Sequence, residues 1–267
     1  TSPVTVTENI TSGQQIVVHA TDDGNDVAGQ EDNVTIKNGI QLITTAPAGD
    51  KLAELEEAVL YTVQVDGNLI TLLNGGNVID LGTPPDNNTT THFITPAGPL
   101  NSGTNTQPLG GFESRPFKGS NVSEHANTID LGSGHGLNNG DQVIYTTAGT
   151  ISLLAGDDVI MESTSQLTAT AAVFLRANFG NTDHTFGGIH IDNATISAGT
   201  AIDATASGNI ILENVTTATA DHDASFNAGR DFIVDNSSIT AGDNLVATVT
   251  GNVGLKNGTS VTAGVDA

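Results

Sequence analysis

A short phrase returns at nearly even intervals toward the C-terminal end, and that recurrence constrains the fold more than any other feature of the chain. Four glycines lead into short apolar segments, Gly188 in GIHIDN, Gly208 in GNIILEN, Gly229 in GRDFIVDN and Gly251 in GNVGLKN, at steps of 20, 21 and 22 residues. Between them a second phrase recurs, ISAG at 196–199, ITAG at 239–242 and VTAG at 261–264. A period near 21 with two or three strands per period predicts a β-solenoid, because one such coil cannot bury its apolar side until another stacks on it at about 4.8 Å. Within the strands Ile189 and Ile191 alternate with His190 and Asp192, and Phe232 and Val234 with Asp231, Ile233 and Asp235, which sends the apolar residues to one side. The expected fold class is all-β, a right-handed parallel β-helix with coils of about 21 residues.

The N-terminal part rejoins the rhythm. ITSGQQIVVHAT from Ile10 parallels ITAGDNLVATVT from Ile239, and NVTIKNG from Asn33 parallels NVGLKNG from Asn252 at five of seven positions. Coils are therefore expected over 1–50 and 151–267, and the rhythm is absent between. There, Leu52, Leu55 and Val59 give LAELEEAVLYTVQV a helical turn or two. YTVQVDGNLITLL reads as a hairpin turning at Asp66-Gly67, and 83–120, rich in Pro, Gly, Asn and Thr, reads as a long loop. NTIDLGSGHGLNNGDQVIYTT, from Asn127 to Thr147, reads as strand, turn, strand. Residues 51–150 are expected to be a small inserted β-rich and loop region.

At the ends of the repeated strands stand Asn193, Asn214, Asn236 and Asn257, each followed two residues later by Thr or Ser, and Asn38 closes the matching N-terminal phrase. Asn tolerates a left-handed turn and bonds neighbouring backbone, so stacked copies predict a ladder at a corner of the helix. The same spacing spells glycosylation acceptors, which an Asn- and Thr-rich chain generates freely.

Charge narrows the partners. Thirty Asp and Glu against 7 Lys and Arg give a formal charge of −23, which repels nucleic acid and anionic membrane surfaces alike. No stretch approaches the roughly 18 apolar residues of a spanning helix, so membrane insertion is not expected. Cysteine is absent, and burial and backbone hydrogen bonds must hold the fold. The first residues, TSPVTVTEN, carry no leader-like segment, and the last, SVTAGVDA, break off inside a repeat, so the expectation is an excerpt of a longer chain.

Chemistry-bearing residues are scattered. Seven histidines show no HExxH and no metal-ligand pair. Asp183-His184 and Asp221-His222-Asp223 could hold a metal only if their loops stack, and otherwise read as solvated turns. GSGHGLNNG reads as lying in a hairpin and lacks the Lys-Ser/Thr of a phosphate loop. Three arginines, Arg115, Arg176 and Arg230, lie far apart, which disfavours the clustered carboxylates and bases of a polysaccharide-degrading β-helix. Asp22, Asp23, Asp26, Glu31 and Asp32 fall within eleven residues of ATDDGNDVAGQEDN, a donor set that suits calcium, although a solvated acidic loop accounts for them more simply. No catalytic residue is expected, and the reading is non-enzymatic.

The run LLAGDDVIMESTSQLTATAAVFLRANFGNTDHTFGGIHIDNATISAG, from Leu153 to Gly199, resembles the repeat region of filamentous-haemagglutinin-like and leukotoxin-like giant bacterial surface adhesins, and the HGL-x-x-GD-x-V-x-Y phrase resembles one found in such proteins. The resemblance implies export to the bacterial cell surface or the extracellular medium, a stiff stalk or filament unit, and contact with neighbouring repeats of a parent chain or copies of itself. It also allows a cell-surface glycan or protein receptor, carried by loops of the 51–150 region.

Overall fold

Inward and outward residues alternate along most strands. Ile210–Glu213 and Phe232–Asp235 each read buried, half-buried, buried, half-buried, the pattern of a pleated strand with one face against a core. The computed structural model describes residues 3–20, 32–48, 51–52, 55–82, 90–97, 114–180 and 186–264. Of these residues 53% are strand, and parallel sheets are among the sheets they form. The one helical element among the described residues is a 3-10 turn at Gly119–Asn121. The chain divides into two compact units, Thr1–Ala48 with Gly149–Ala267, and Gly49–Ala148.

The first unit contains three parallel sheets. Sheet A orders Val4–Val6, Val34–Ile36, Val159–Met161, Ile189–Asp192, Ile210–Glu213, Phe232–Asp235 and Val253–Lys256. Sheet B orders Ile10–Ser12, Gln41–Thr44, Gln166–Ala169, Thr195–Ala198, Thr217–Ala220, Ser238–Ala241 and Ser260–Ala263. Sheet C orders Ile16–Ala20, Ile151–Ala155, Val173–Arg176, Ala201–Ala206, Asp223–Ala228 and Leu245–Val249. The chain visits A, B and C in turn, so each strand pairs with the strand of the previous pass. Residues 49–148 depart after a B strand and return before a C strand, yet Ile151 pairs with Ile16 without a break in register.

Like side chains therefore lie over like. Val159, Ile189, Ile210 and Phe232 form one inward column of sheet A, and Leu167, Ile196, Ala218 and Ile239 one of sheet B. All join a single apolar core, each large side chain worth roughly 1.5–3 kcal/mol of burial. Size is balanced across the sheets: Phe226 stacks on Phe232 at 5.0 Å, while Ala224, Ala218 and Ala204 stand at neighbouring inward positions.

The period near 21 holds, since Ile189, Ile210, Phe232 and Val253 follow one another at 21, 22 and 21 residues. The glycine alignment does not. Gly188 immediately precedes its strand, whereas Gly208, Gly229 and Gly251 stand two, three and two residues ahead of theirs. The structural column runs Gly187, Gly208, Arg230, Gly251, each N–H donating to the carbonyl of the one before. Glycine recurs because successive passes touch at the corners: an added Cβ would lie 2.2 Å from the Thr170 carbonyl oxygen at Gly199, and 2.2 Å from that of Ser207 at Gly229. Any of several adjacent corner positions can meet that demand, so the letter slides while the contact stays.

The second unit holds one antiparallel sheet ordered Arg115–Phe117, His92–Pro96, Gln142–Thr147, Leu60–Asp66, Leu69–Asn74, Thr128–Asp130 and Val122–Ser123, with Asn77–Val78 paired on Leu69–Asn74. The hairpin forms, closed by the Asp66–Leu69 pair, so its two-residue turn is Gly67-Asn68, one position later than the sequence suggests; Gly67 takes φ +63° there. Three expectations change. Among the described residues 52–65 hold no helix, only a Leu55 N–H to Leu52 carbonyl turn leading to the strand. Thr128–Asp130 and Gln142–Thr147 are strands but pair elsewhere, with Leu69–Asn74 and with Leu60–Asp66 and His92–Pro96, so 127–147 is no hairpin. Within 83–120, His92–Pro96 is a strand buried at all five positions.

Candidate binding surfaces and polar ladders

Four of the five ladder asparagines adopt left-handed backbone: Asn193, Asn214, Asn236 and Asn257 have φ between +45° and +55°. At the fifth, Asn38, the following Gly39 takes that role with φ +72°. Sheet A register places Asn38, Ser163, Asn193, Asn214, Asn236 and Asn257 in one column. Their amides reach back to the previous pass and do not chain to one another: Asn193 Nδ2 donates to Ser163 Oγ (2.7 Å), Asn214 Nδ2 to Asp192 Oδ1 (2.8 Å) and Asn257 Nδ2 to Asp235 Oδ1 (2.7 Å). Behind them the hydroxyls two residues on are structural. Thr216 Oγ1 donates among the carbonyls of Ile191 and Glu213, and Thr259 Oγ1 among those of Val234 and Lys256.

A second ladder, unread in the sequence, stands at the start of sheet A. Asn33 Oδ1 accepts the Asp158 N–H (2.8 Å) and Asp158 Oδ1 that of Gly188 (2.6 Å). Further on, Asn209 Oδ1 accepts the Asp231 N–H (3.0 Å) and Asp231 Oδ1 that of Asn252 (2.8 Å). Asp158 and Asp231 are thus bound up in holding the backbone of successive passes. The signal was an Asn or Asp directly before the runs that start at Val34, Val159, Ile210, Phe232 and Val253, which also reads as an ordinary turn.

Of the calcium candidates, Asp22, Asp23, Asp26 and Glu31 lie outside the described residues. Asp32 is buried; its N–H donates to Asp157 Oδ2 (2.7 Å), and its carbonyl accepts the Asp157 N–H. Among the described residues no group of three His, Cys, Asp or Glu is arranged to hold a metal. Asp183 and His184 also lie outside the described residues. His222 is exposed, and its Nδ1 donates to Asp243 Oδ2 (2.7 Å) on the next pass; that carboxylate raises its pKa above the ordinary value.

Two shallow depressions are candidates for a ligand. The first, about 270 Å³ on the outer side of sheet A, is bordered by Asp158, Phe186, His190, Asn209, Ile211 and Arg230 among others. Arg230 lies over the exposed Phe186 ring at 3.9 Å, and His190 pairs with Glu213 at 2.7 Å. Asp158 is the one carboxylate in this lining, and its Oδ1 already accepts the Gly188 N–H; a glycosidase needs two carboxyls flanking the bond. The second, about 590 Å³, lies in the other unit against Thr62, Gln64, Asp66, Thr71, Asn139 and Gly140. Arg176 makes a two-pronged pair with Asp203 at 2.9 and 2.8 Å, and Arg115 Nε donates to the His135 carbonyl.

Within that second unit His92 is buried with its Nδ1 2.8 Å from Tyr145 Oη, which also accepts the Leu52 N–H. The phenol hydroxyl can donate to this nitrogen or accept from it, according to the imidazole tautomer. Burial, reinforced by Lys118, lowers the His92 pKa to about 4, and burial raises that of Tyr145. His135 is a turn residue, as its Nδ1 accepts the Leu137 N–H.

Compared with family models, curated proteins and solved structures, the chain matches none. No helix among the described residues is long and apolar enough to cross a membrane.

Proposed function

We propose that the three parallel sheets wind as one right-handed parallel β-helix and that the chain is a structural, adhesive segment of a large secreted or cell-surface bacterial protein, a stiff stalk or filament unit. The observation that carries this reading is the uninterrupted register, in which every pass repeats the inward columns of the last across all three sheets. A segment built so gains length by adding passes, each resting on its neighbour. The right hand follows from the crossover preference of parallel strands. Partners on this reading are neighbouring repeats or copies of the chain, in keeping with the last pass, where the inward-facing Val253, Leu255 and Val261 are 57%, 57% and 40% exposed. The reading assigns no catalysis. Calcium at Asp22 to Asp32 belongs to it through the donor set alone, and a melting shift in millimolar calcium tests that assignment.

Electron microscopy of the native material tests the main reading. Filaments, layers or stalks that contain this segment are expected, and isolated compact particles count against it. A second reading places a glycan or protein receptor on residues 51–150, favoured by the open polar depression beside Thr62 and Asn139. Glycan-array binding retained after excision of those residues would reject it.

A further inference from the structure

The outer face of sheet B differs from everything around it. Its strands Thr195–Ala198, Thr217–Ala220, Ser238–Ala241 and Ser260–Ala263 read TISA, TATA, SITA and SVTA. Register stacks first residue on first and third on third, so two columns of hydroxyls point outward while the second and fourth residues line the core. Gln166–Ala169, QLTA, extends the third-position column by one more pass. The rows repeat at about 4.8 Å along each column and about 6.7 Å between columns. Ser238 Oγ to Thr217 Oγ1, at 3.5 Å, is the one contact between hydroxyls of this face among the described residues.

Charge gives a second, independent observation. The seven strands of sheet B contain no Asp, Glu, Lys, Arg or His, although the chain carries −23. Sheet A strands hold His190, Asp192, Glu213, Asp235 and Lys256, and sheet C strands His19, Arg176, Asp203 and Asp223. Sheet B strands also lack Phe, Tyr and Trp. A rigid face that repeats in two directions, offers donors and acceptors, and bears neither charge nor rings is matched by a ligand with the same properties. Charged partners gain nothing there, and sugar rings lack an aromatic surface on which to stack.

We propose that the outer face of sheet B binds the surface of ice. Thr195, Thr217, Thr219, Thr240 and Thr262 each set a methyl beside the hydroxyl, so water held between neighbouring side chains is ordered on the protein's own lattice and can merge with the crystal. The inference needs only the register of sheet B and is independent of the adhesive role proposed above.

The test uses the whole chain, frozen slowly around a cold probe, with the protein in the ice and in the liquid measured, and ice recrystallisation followed in parallel. The wild type is expected to enter the ice and to slow recrystallisation. Thr219→Lys/Thr240→Lys sets two charges on the face and is expected to weaken both effects on the order of tenfold or more. Thr219→Tyr, which blocks the face with a residue that favours strands, is expected to act likewise if the lysine pair fails to fold. Asn227→Lys, outward on sheet C, is expected to behave as wild type, with circular dichroism checking the fold of each. Exclusion of the wild type from ice overturns the proposal, as does equal loss in Asn227→Lys, or retention on crystalline cellulose or chitin without retention in ice.

Discussion

Asp231 carries two hydrogen bonds on one carboxylate oxygen, accepting both the backbone N–H of Asn252 (2.8 Å) and its side-chain amide (3.2 Å). Asp231→Ala leaves the first without its partner and is expected to cost about 1–2 kcal/mol in a denaturant melt, while Asp231→Asn retains most of the stability. The corner glycines act through space instead. Gly199→Ala drives a methyl against the Thr170 carbonyl and is expected to cost about 1–3 kcal/mol, whereas Gly13→Ala, with nothing within 4 Å, stays within about 0.5 kcal/mol of wild type. Both features were half legible. The glycines could be seen to recur, but a tight corner constrains a region and not one position, so aligning on them displaced Gly188 from Gly208. Asn33, Asp158, Asn209 and Asp231 stayed hidden because an acceptor before a strand looks the same whether it meets water or the next pass.

The strands of the first unit announced themselves through alternation, as Ile189 to Asp192 shows, because one face meets the core and the other water. His92–Pro96 gave no such signal. It is covered on both faces, ends in proline and lies among Thr, Asn and Gly, so neither periodicity nor composition marks it. Its His92 has a consequence for acid stability. With a folded pKa of about 4 against 6.5 when unfolded, the unfolded chain takes up the proton first. The stabilisation is complete above pH 6.5 and is lost as the pH falls toward 4, amounting to on the order of 3 kcal/mol. Thermal melts across that range should show this loss in the wild type and a shallower one in His92→Gln. Equal slopes would mean that His92 is already charged in the folded chain.

At the scale of the first unit, what matters is that residues far apart in sequence are brought together in strict order. Thr168, Ser197, Thr219, Thr240 and Thr262 follow one another in a single column, although the first and last are 94 positions apart. The period near 21 made that order readable, and the return of the chain at Ile151 could not be read, because the hundred residues before it obey another rhythm. The absence of cysteine allows pairs of spin labels to be placed at will. The decisive measurement is pulsed electron resonance between a label at Thr262→Cys and one at Thr240→Cys, Thr219→Cys, Ser197→Cys or Thr168→Cys in turn. Stacked parallel passes predict a distance that grows by about 4.8 Å with each step, reaching roughly 19 Å between the outermost label sites before tether length is added. Distances that fail to rise in that order, as in a sandwich of antiparallel strands, would contradict the account.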